Sequence, residues 1–116
     1  MSLEEKSRRL MDEALMDLIV GCYNKAVSAA YFAVRLAAES KLRGLKTKKD
    51  DKIANALARL LSRSLGREAS ERTRSEYLSL FEARKLADHR PYSFEREDAE
   101  RQVMRAKELL RTILST

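Results

Sequence analysis

Leu10, Ala14, Leu15, Leu18 and Ile19 recur at the three- and four-residue spacing of one helix face, and Gly21 breaks the run. Ser2 followed by Glu5 forms a capping box ahead of them, so the pattern predicts a first helix over about residues 3–20. A second apolar run starts near Tyr23 or Asn24 and continues to Leu42, with Gly44 as its stop. Ala26, Ala29, Ala30, Ala33, Ala37 and Ala38 would let neighbours approach closely, while Tyr23, Val27, Tyr31, Phe32 and Val34 supply bulk, which predicts the central helix of a bundle. Asp50 and Asp51 suit the positive end of a third helix that runs to about Leu65, with Ile53, Leu57, Leu60 and Leu61 inward and Gly66 after it. Ser70 is the expected cap of a fourth helix over about 71–88, which Pro91 prevents from continuing far. Ser93 is the expected start of a fifth. Its first turn is acidic (Glu95, Glu97, Asp98), and Val103, Met104, Ala106, Leu109, Leu110 and Ile113 form its buried stripe.

Five helices with short connections predict an all-α antiparallel bundle of four to five helices, and 116 residues predict a single domain, 1–116. The composition agrees: 44% hydrophobic and 36% charged residues with three Gly and one Pro suit a helical protein and exclude a disordered or β-rich one. The first residues carry no apolar signal-peptide core and no apolar run reaches the roughly 20 residues that span a bilayer, so a cytoplasmic protein away from membranes is expected. The lone Cys22 sits among apolar neighbours and is expected to be a packed, reduced thiol.

Charge changes the picture. Between Lys41 and Arg74 there are eleven basic residues against four acidic ones, which leaves the rest of the chain close to neutral within the overall +6. Such a concentrated field favours an anionic partner, with nucleic acid the commonest; a solvated, arginine-rich surface is the plainer account. Arg59, Arg63 and Arg67 form a stripe at four-residue intervals, and Lys48 and Lys49 precede the third helix. Arg35, Lys48, Lys49, Arg59 and Arg63 are therefore the candidate nucleic-acid- or nucleotide-binding residues. For Arg35, one turn before Glu39, an ordinary intrahelical ion pair competes with that role. Tyr23, Tyr31 and Tyr77 could stack on bases, although aromatic side chains at helical spacing more often fill a core.

The candidate for chemistry is Arg84-Lys85-Leu86-Ala87-Asp88-His89, in which four residues separate a guanidinium from the sole histidine. His89 could exchange a proton with a ribose 2′-hydroxyl or a leaving 5′-oxygen, and Arg84 could stabilise charge on the phosphate, with Asp88 orienting either residue. The same residues also suit a helix-end ion pair, Arg84 with Asp88. One histidine, one cysteine and no carboxylate pair at ligand spacing leave no argument for a metal site, isolated glycines leave none for a phosphate-cradling loop, and no cofactor is expected.

Ala26-Val27-Ser28-Ala29-Ala30-Tyr31-Phe32-Ala33, together with Arg84-Lys85-Leu86-Ala87-Asp88-His89 and then Glu97-Asp98-Ala99-Glu100, resembles the HEPN domain family over nearly the whole chain. His89 stands where many members have tyrosine. The resemblance implies a HEPN-type bundle that pairs as a homodimer, acts on or binds RNA or nucleotides, and often has a minimal nucleotidyltransferase as partner or antitoxin. Ribonuclease members carry Arg-x(4–6)-His, which Arg84 and His89 satisfy; many also carry a tyrosine two residues after the histidine, whereas Tyr92 is three residues after, with Pro91 between. The resemblance thus implies either a metal-independent endoribonuclease of toxin–antitoxin type or a non-catalytic RNA-, nucleotide- or nucleotidyltransferase-binding module. A purely structural adaptor, with its basic region serving solubility, is the third alternative.

Overall fold

The computed structural model describes residues 1–89 and 91–116. Among them are five helices and no strand: α1 (Leu3–Ile19), α2 (Tyr23–Lys41), α3 (Asp50–Leu65), α4 (Arg67–Ala87) and α5 (Arg96–Leu114). The expected all-α bundle is what forms, and among the described residues no helix is long and apolar enough to cross a membrane. The Ser2 hydroxyl accepts from the Glu5 backbone N–H at 3.0 Å and starts α1 as the capping pattern predicts.

Helix α2 is central because it packs against each of the other four helices. Its inward positions are mostly alanine, and Ala26, Ala30, Ala33, Ala37 and Ala38 are wholly buried. Small side chains on several faces let neighbours close in, while Tyr31 and Val34 fill the remaining volume. Helix α1 lies along one side of α2, and α5 along another. Helices α3 and α4 pack chiefly on each other as a hairpin, joined to the core through Ile53, Leu57, Leu61, Tyr77 and Leu80.

Two helix starts differ from expectation. Helix α4 begins at Arg67, not after Ser70, because Gly66 at φ +83° ends α3 and reverses the chain in a single residue. Ser70 is buried within the helix, and its hydroxyl donates to the Arg67 carbonyl at 2.9 Å. Helix α5 begins at Arg96, not at Ser93, because a side chain of α2 holds residues 92–94 outside the helix. That side chain is Asn24, whose amide nitrogen donates to the Ala87 carbonyl (3.0 Å) and the Tyr92 carbonyl (2.7 Å) while its oxygen accepts from the Phe94 N–H (2.8 Å). The clasp seats Phe94 in a small core with Val27, Ala83, Ala87 and Ala99.

Burial differs at four residues. Cys22 is exposed, since it lies in the turn ahead of α2 and not in a packed face. Ile19 is 77% exposed at the last turn of α1, and Met104 is 50% exposed, about 100° around α5 from buried Val103. Phe32 is exposed on the flank of α2, where an arginine covers one face of its ring.

Candidate functional site

The polar chemistry of this fold is concentrated along the α3–α4 hairpin, and it differs between the hairpin's two ends. At the end where α3 starts and α4 finishes, Asp50 is almost fully buried. One oxygen of its carboxylate, Oδ1, accepts from the Tyr31 hydroxyl at 2.5 Å and from the Tyr77 hydroxyl at 2.7 Å. The other, Oδ2, lies 3.4 Å from Arg35 Nη1. Arg35 Nη1 also donates to the Tyr31 hydroxyl (3.1 Å), Nη2 donates to the Lys48 carbonyl (2.8 Å), and Nε reaches Glu39 at 3.4 Å. A buried carboxylate is tolerated when it is paired and hydrogen-bonded, and here α2 and α4 supply the partners.

Burial, followed by the hydrogen bond to Asp50, pushes the Tyr31 phenol up to about 12. The Tyr77 phenol is raised for the same leading reason. Both hydroxyls therefore remain donors across the whole neutral range. Tyr31 and Tyr77 are core residues with no ring face open to a base, and Tyr23 is half-buried. Arg35 does pair with Glu39, and it also binds the Lys48 carbonyl, the Tyr31 hydroxyl and Asp50.

Arg84 lies in the last turn of α4. Its Nε sits 2.9 Å from Asp88 Oδ2, the helix-end ion pair anticipated from the four-residue spacing. The contact is off the N–H direction, so Nε has no hydrogen-bond partner among the described residues. The guanidinium carbon stands 5.0 Å from the centre of the Phe32 ring and 5.5 Å from that of Tyr31, a cation–π arrangement. With Asp88 on the Nε side, the two terminal nitrogens form the edge available to a phosphate.

His89 follows directly. It is exposed, its backbone N–H donates to the Leu86 carbonyl at 3.1 Å, and its carbonyl accepts from the Tyr92 N–H at 3.0 Å. Tyr92 packs its ring edge-on against Phe94 at 4.9 Å and is placed by the Asn24 clasp. Arg84, Asp88, His89 and Tyr92 thus share one end of α4. Lys48 and Lys49 are exposed in the segment entering α3. Arg59 and Arg63 belong elsewhere, exposed toward the closed end of the hairpin. Arg67, also at that closed end, is about 25 Å along the α4 axis from Arg84.

Two residues that organise the site have no local signature. Asp50 looks like a helix-start carboxylate, and Asn24 looks like any polar residue in a first turn. Their partners lie 15 to 70 residues away in sequence.

An all-helical bundle that finishes its fourth helix in an arginine, a carboxylate and a histidine has the form expected of a HEPN fold. The sequence profile of the HEPN domain matches residues 2–115, and the chain belongs to that family, whose functions are nucleotide- and RNA-related. No curated protein matches the sequence.

Proposed function

We propose that this protein acts on RNA as a metal-independent endoribonuclease of toxin–antitoxin type, working as a homodimer with the α4 ends of two copies together. The observation that supports this reading best is the posture of Arg84. Asp88 on one side and the Phe32 ring beneath hold the guanidinium, with its terminal nitrogens as the remaining edge. An arginine fixed in that way meets a phosphate with little ordering left to do. His89, exposed one turn further on, supplies an imidazole to take or give the proton.

In this reading the imidazole of His89 takes the proton of a ribose 2′-hydroxyl. The 2′-oxygen bonds to phosphorus, the bond to the 5′-oxygen breaks, and the leaving oxygen receives a proton from the histidine of the second copy. The products are a 2′,3′-cyclic phosphate and a 5′-hydroxyl, and Arg84 stabilises the extra charge on the phosphoryl oxygens in the transition state. Phe32, Leu86 and Tyr92 are exposed at this end, which suits a surface covered by a second copy. A minimal nucleotidyltransferase is the antitoxin partner this reading assigns.

A second reading has its own observation. The Arg84–Asp88 pair and the Phe32 stack are complete within one subunit, as they would be in a non-catalytic module that binds RNA or nucleotide, or docks on a nucleotidyltransferase. Incubating single-stranded RNA in EDTA with wild type and His89→Ala separates the two. Cyclic-phosphate ends that disappear in the variant support cleavage by His89. RNA binding without cleavage by folded, dimeric wild type would sink the nuclease reading and favour the module.

A further inference from the structure

The closed end of the α3–α4 hairpin holds a groove of about 370 Å³ that the Arg84–His89 chemistry does not use. Arg59 from α3, with Arg67 and Arg74 from α4, line it alongside Asn55, Ser70 and Glu71. These three arginines meet in one groove and differ from Arg96, Arg101 and Arg111 of α5 in their pairing. Among the described residues none of the three forms an ion pair, although Glu71 lines the same groove. On α5, by contrast, Arg96, Arg101 and Arg111 pair with Glu100, Asp98 and Glu108.

The groove's other polar groups narrow what it can hold. The Ser62 and Ser70 hydroxyls donate to the Arg59 and Arg67 carbonyls, both at 2.9 Å, so their hydrogens are already committed. Arg74 Nε donates to Asn55 Oδ1 at 2.6 Å, which orients that guanidinium and leaves its terminal nitrogens unassigned. The α4 N-terminus opens here with no side-chain cap, but α3 ends its carbonyls at the same corner and offsets that dipole. The guanidiniums therefore carry the field. Three positive forks against one carboxylate in a shallow, hydroxyl-edged groove match an oxyanion of more than one charge, and planar forks match phosphate in particular.

We infer that this groove is a phosphate-binding site, separate from the Arg84 end and independent of whether that end cleaves RNA. The phosphate can come from a free nucleotide or from a polynucleotide backbone, and the test distinguishes them. The arginine Nε–H signals of the ¹⁵N-labelled full chain are followed during titration with uridine triphosphate and, separately, with a short oligouridylate. Arg59, Arg67 and Arg74 should shift while Arg96, Arg101 and Arg111 stay in place. A response to both probes makes phosphate itself the ligand, a response to the oligonucleotide alone assigns the backbone, and a response to the triphosphate alone assigns a free nucleotide.

For the probe that binds, Arg59→Gln/Arg67→Gln should weaken affinity roughly tenfold. On the oligonucleotide it should also flatten the slope of log affinity against log salt by about 1.4, at about 0.7 per phosphate contact on a single strand. Arg96→Gln/Arg101→Gln, with the same loss of charge, should leave the affinity and the slope in place. Silence from all three groove arginines, an equal shift across every arginine, or wild-type affinity in Arg59→Gln/Arg67→Gln would overturn the assignment.

Discussion

The two ends of α4 carry the same kind of side chain and treat it in opposite ways. At the finish of the helix, Arg84 is held against Asp88 and Phe32, the neighbouring loop is clasped by Asn24, and Asp50 ties the start of α3 to Tyr31 and Tyr77. At its start, Arg67 and the nearby Arg59 and Arg74 face a groove without a paired carboxylate. The fastened end has its electrostatics balanced internally, which gives position. The open end has them unbalanced, which gives attraction. A protein that handles a polyanion needs both, and the hairpin separates them by about 25 Å along one helix.

The largest effect that can break this comparison lies at Asp50. Asp50→Ala removes the acceptor of two buried hydroxyls and the partner of Arg35, and breaking a buried pair from one side typically costs about 3–5 kcal/mol. Asp51→Ala, one residue along and exposed, loses only a helix-end charge and should cost about 0.5 kcal/mol. Urea unfolding of the two variants measures the difference. Equal losses would mean that the fastening is nothing more than helix-dipole chemistry.

Alkaline pH probes the same fastening. The Tyr31 phenol titrates near 10 when unfolded and is raised to about 12 in the fold, so between those values the folded protein keeps a proton that the unfolded chain has released. This contribution to stability is intact below pH 10 and is lost as pH rises through 12, at roughly 1.4 kcal/mol per pH unit and at most about 2.7 kcal/mol in all. Tyr31→Phe should remove that part of the slope. Parallel wild-type and variant curves from pH 9 to 12 would contradict it.

The next effect is smaller. Asn24→Ala strips the clasp of three hydrogen bonds and leaves the Phe94 N–H and the Ala87 and Tyr92 carbonyls to find water. Where that access is incomplete, a loss of about 1–3 kcal/mol is expected. The local consequence is sharper than the global one. Amide hydrogen exchange should accelerate at Tyr92 and Phe94 and remain unchanged at Ser70, at the other end of α4. Acceleration along the whole helix would show that the ends are not independent.

What was legible in the sequence follows the range of the interactions involved. Helix periodicity, the Ser2 cap and the glycine stops are local, and all five helices could be read from them. The Arg84–Asp88 pair is four residues apart and was legible for the same reason. Ser70 and Ser93 were plausible caps by composition, but Gly66 turns the chain before the first and Asn24 holds the chain away from the second. Asp50 and Asn24 take their roles from partners on other helices, and no pattern within a helical turn distinguishes them from solvated polar residues. The groove is an intermediate case: the stripe Arg59, Arg63 and Arg67 is visible, but only packing against α4 adds Arg74 and leaves Arg63 out of the lining.

The smallest predicted effect bears most directly on function. Arg84 and Asp88 are both partly exposed, with 32% and 47% of their side chains accessible, so solvent screens the pair and a double-mutant cycle should return about 0.3–0.5 kcal/mol of coupling. The pair therefore sets the direction of the fork and adds little to the stability of the fold. Asp88→Asn should therefore unfold within about 0.5 kcal/mol of wild type while changing how RNA is bound or cut, because only the orientation of the fork has been loosened. Coupling above about 1.5 kcal/mol, with RNA binding and cutting unchanged in Asp88→Asn, would make the pair a structural anchor and nothing more. Arg84 would then leave the RNA reading, and the arginines at the open end of α4 would carry it.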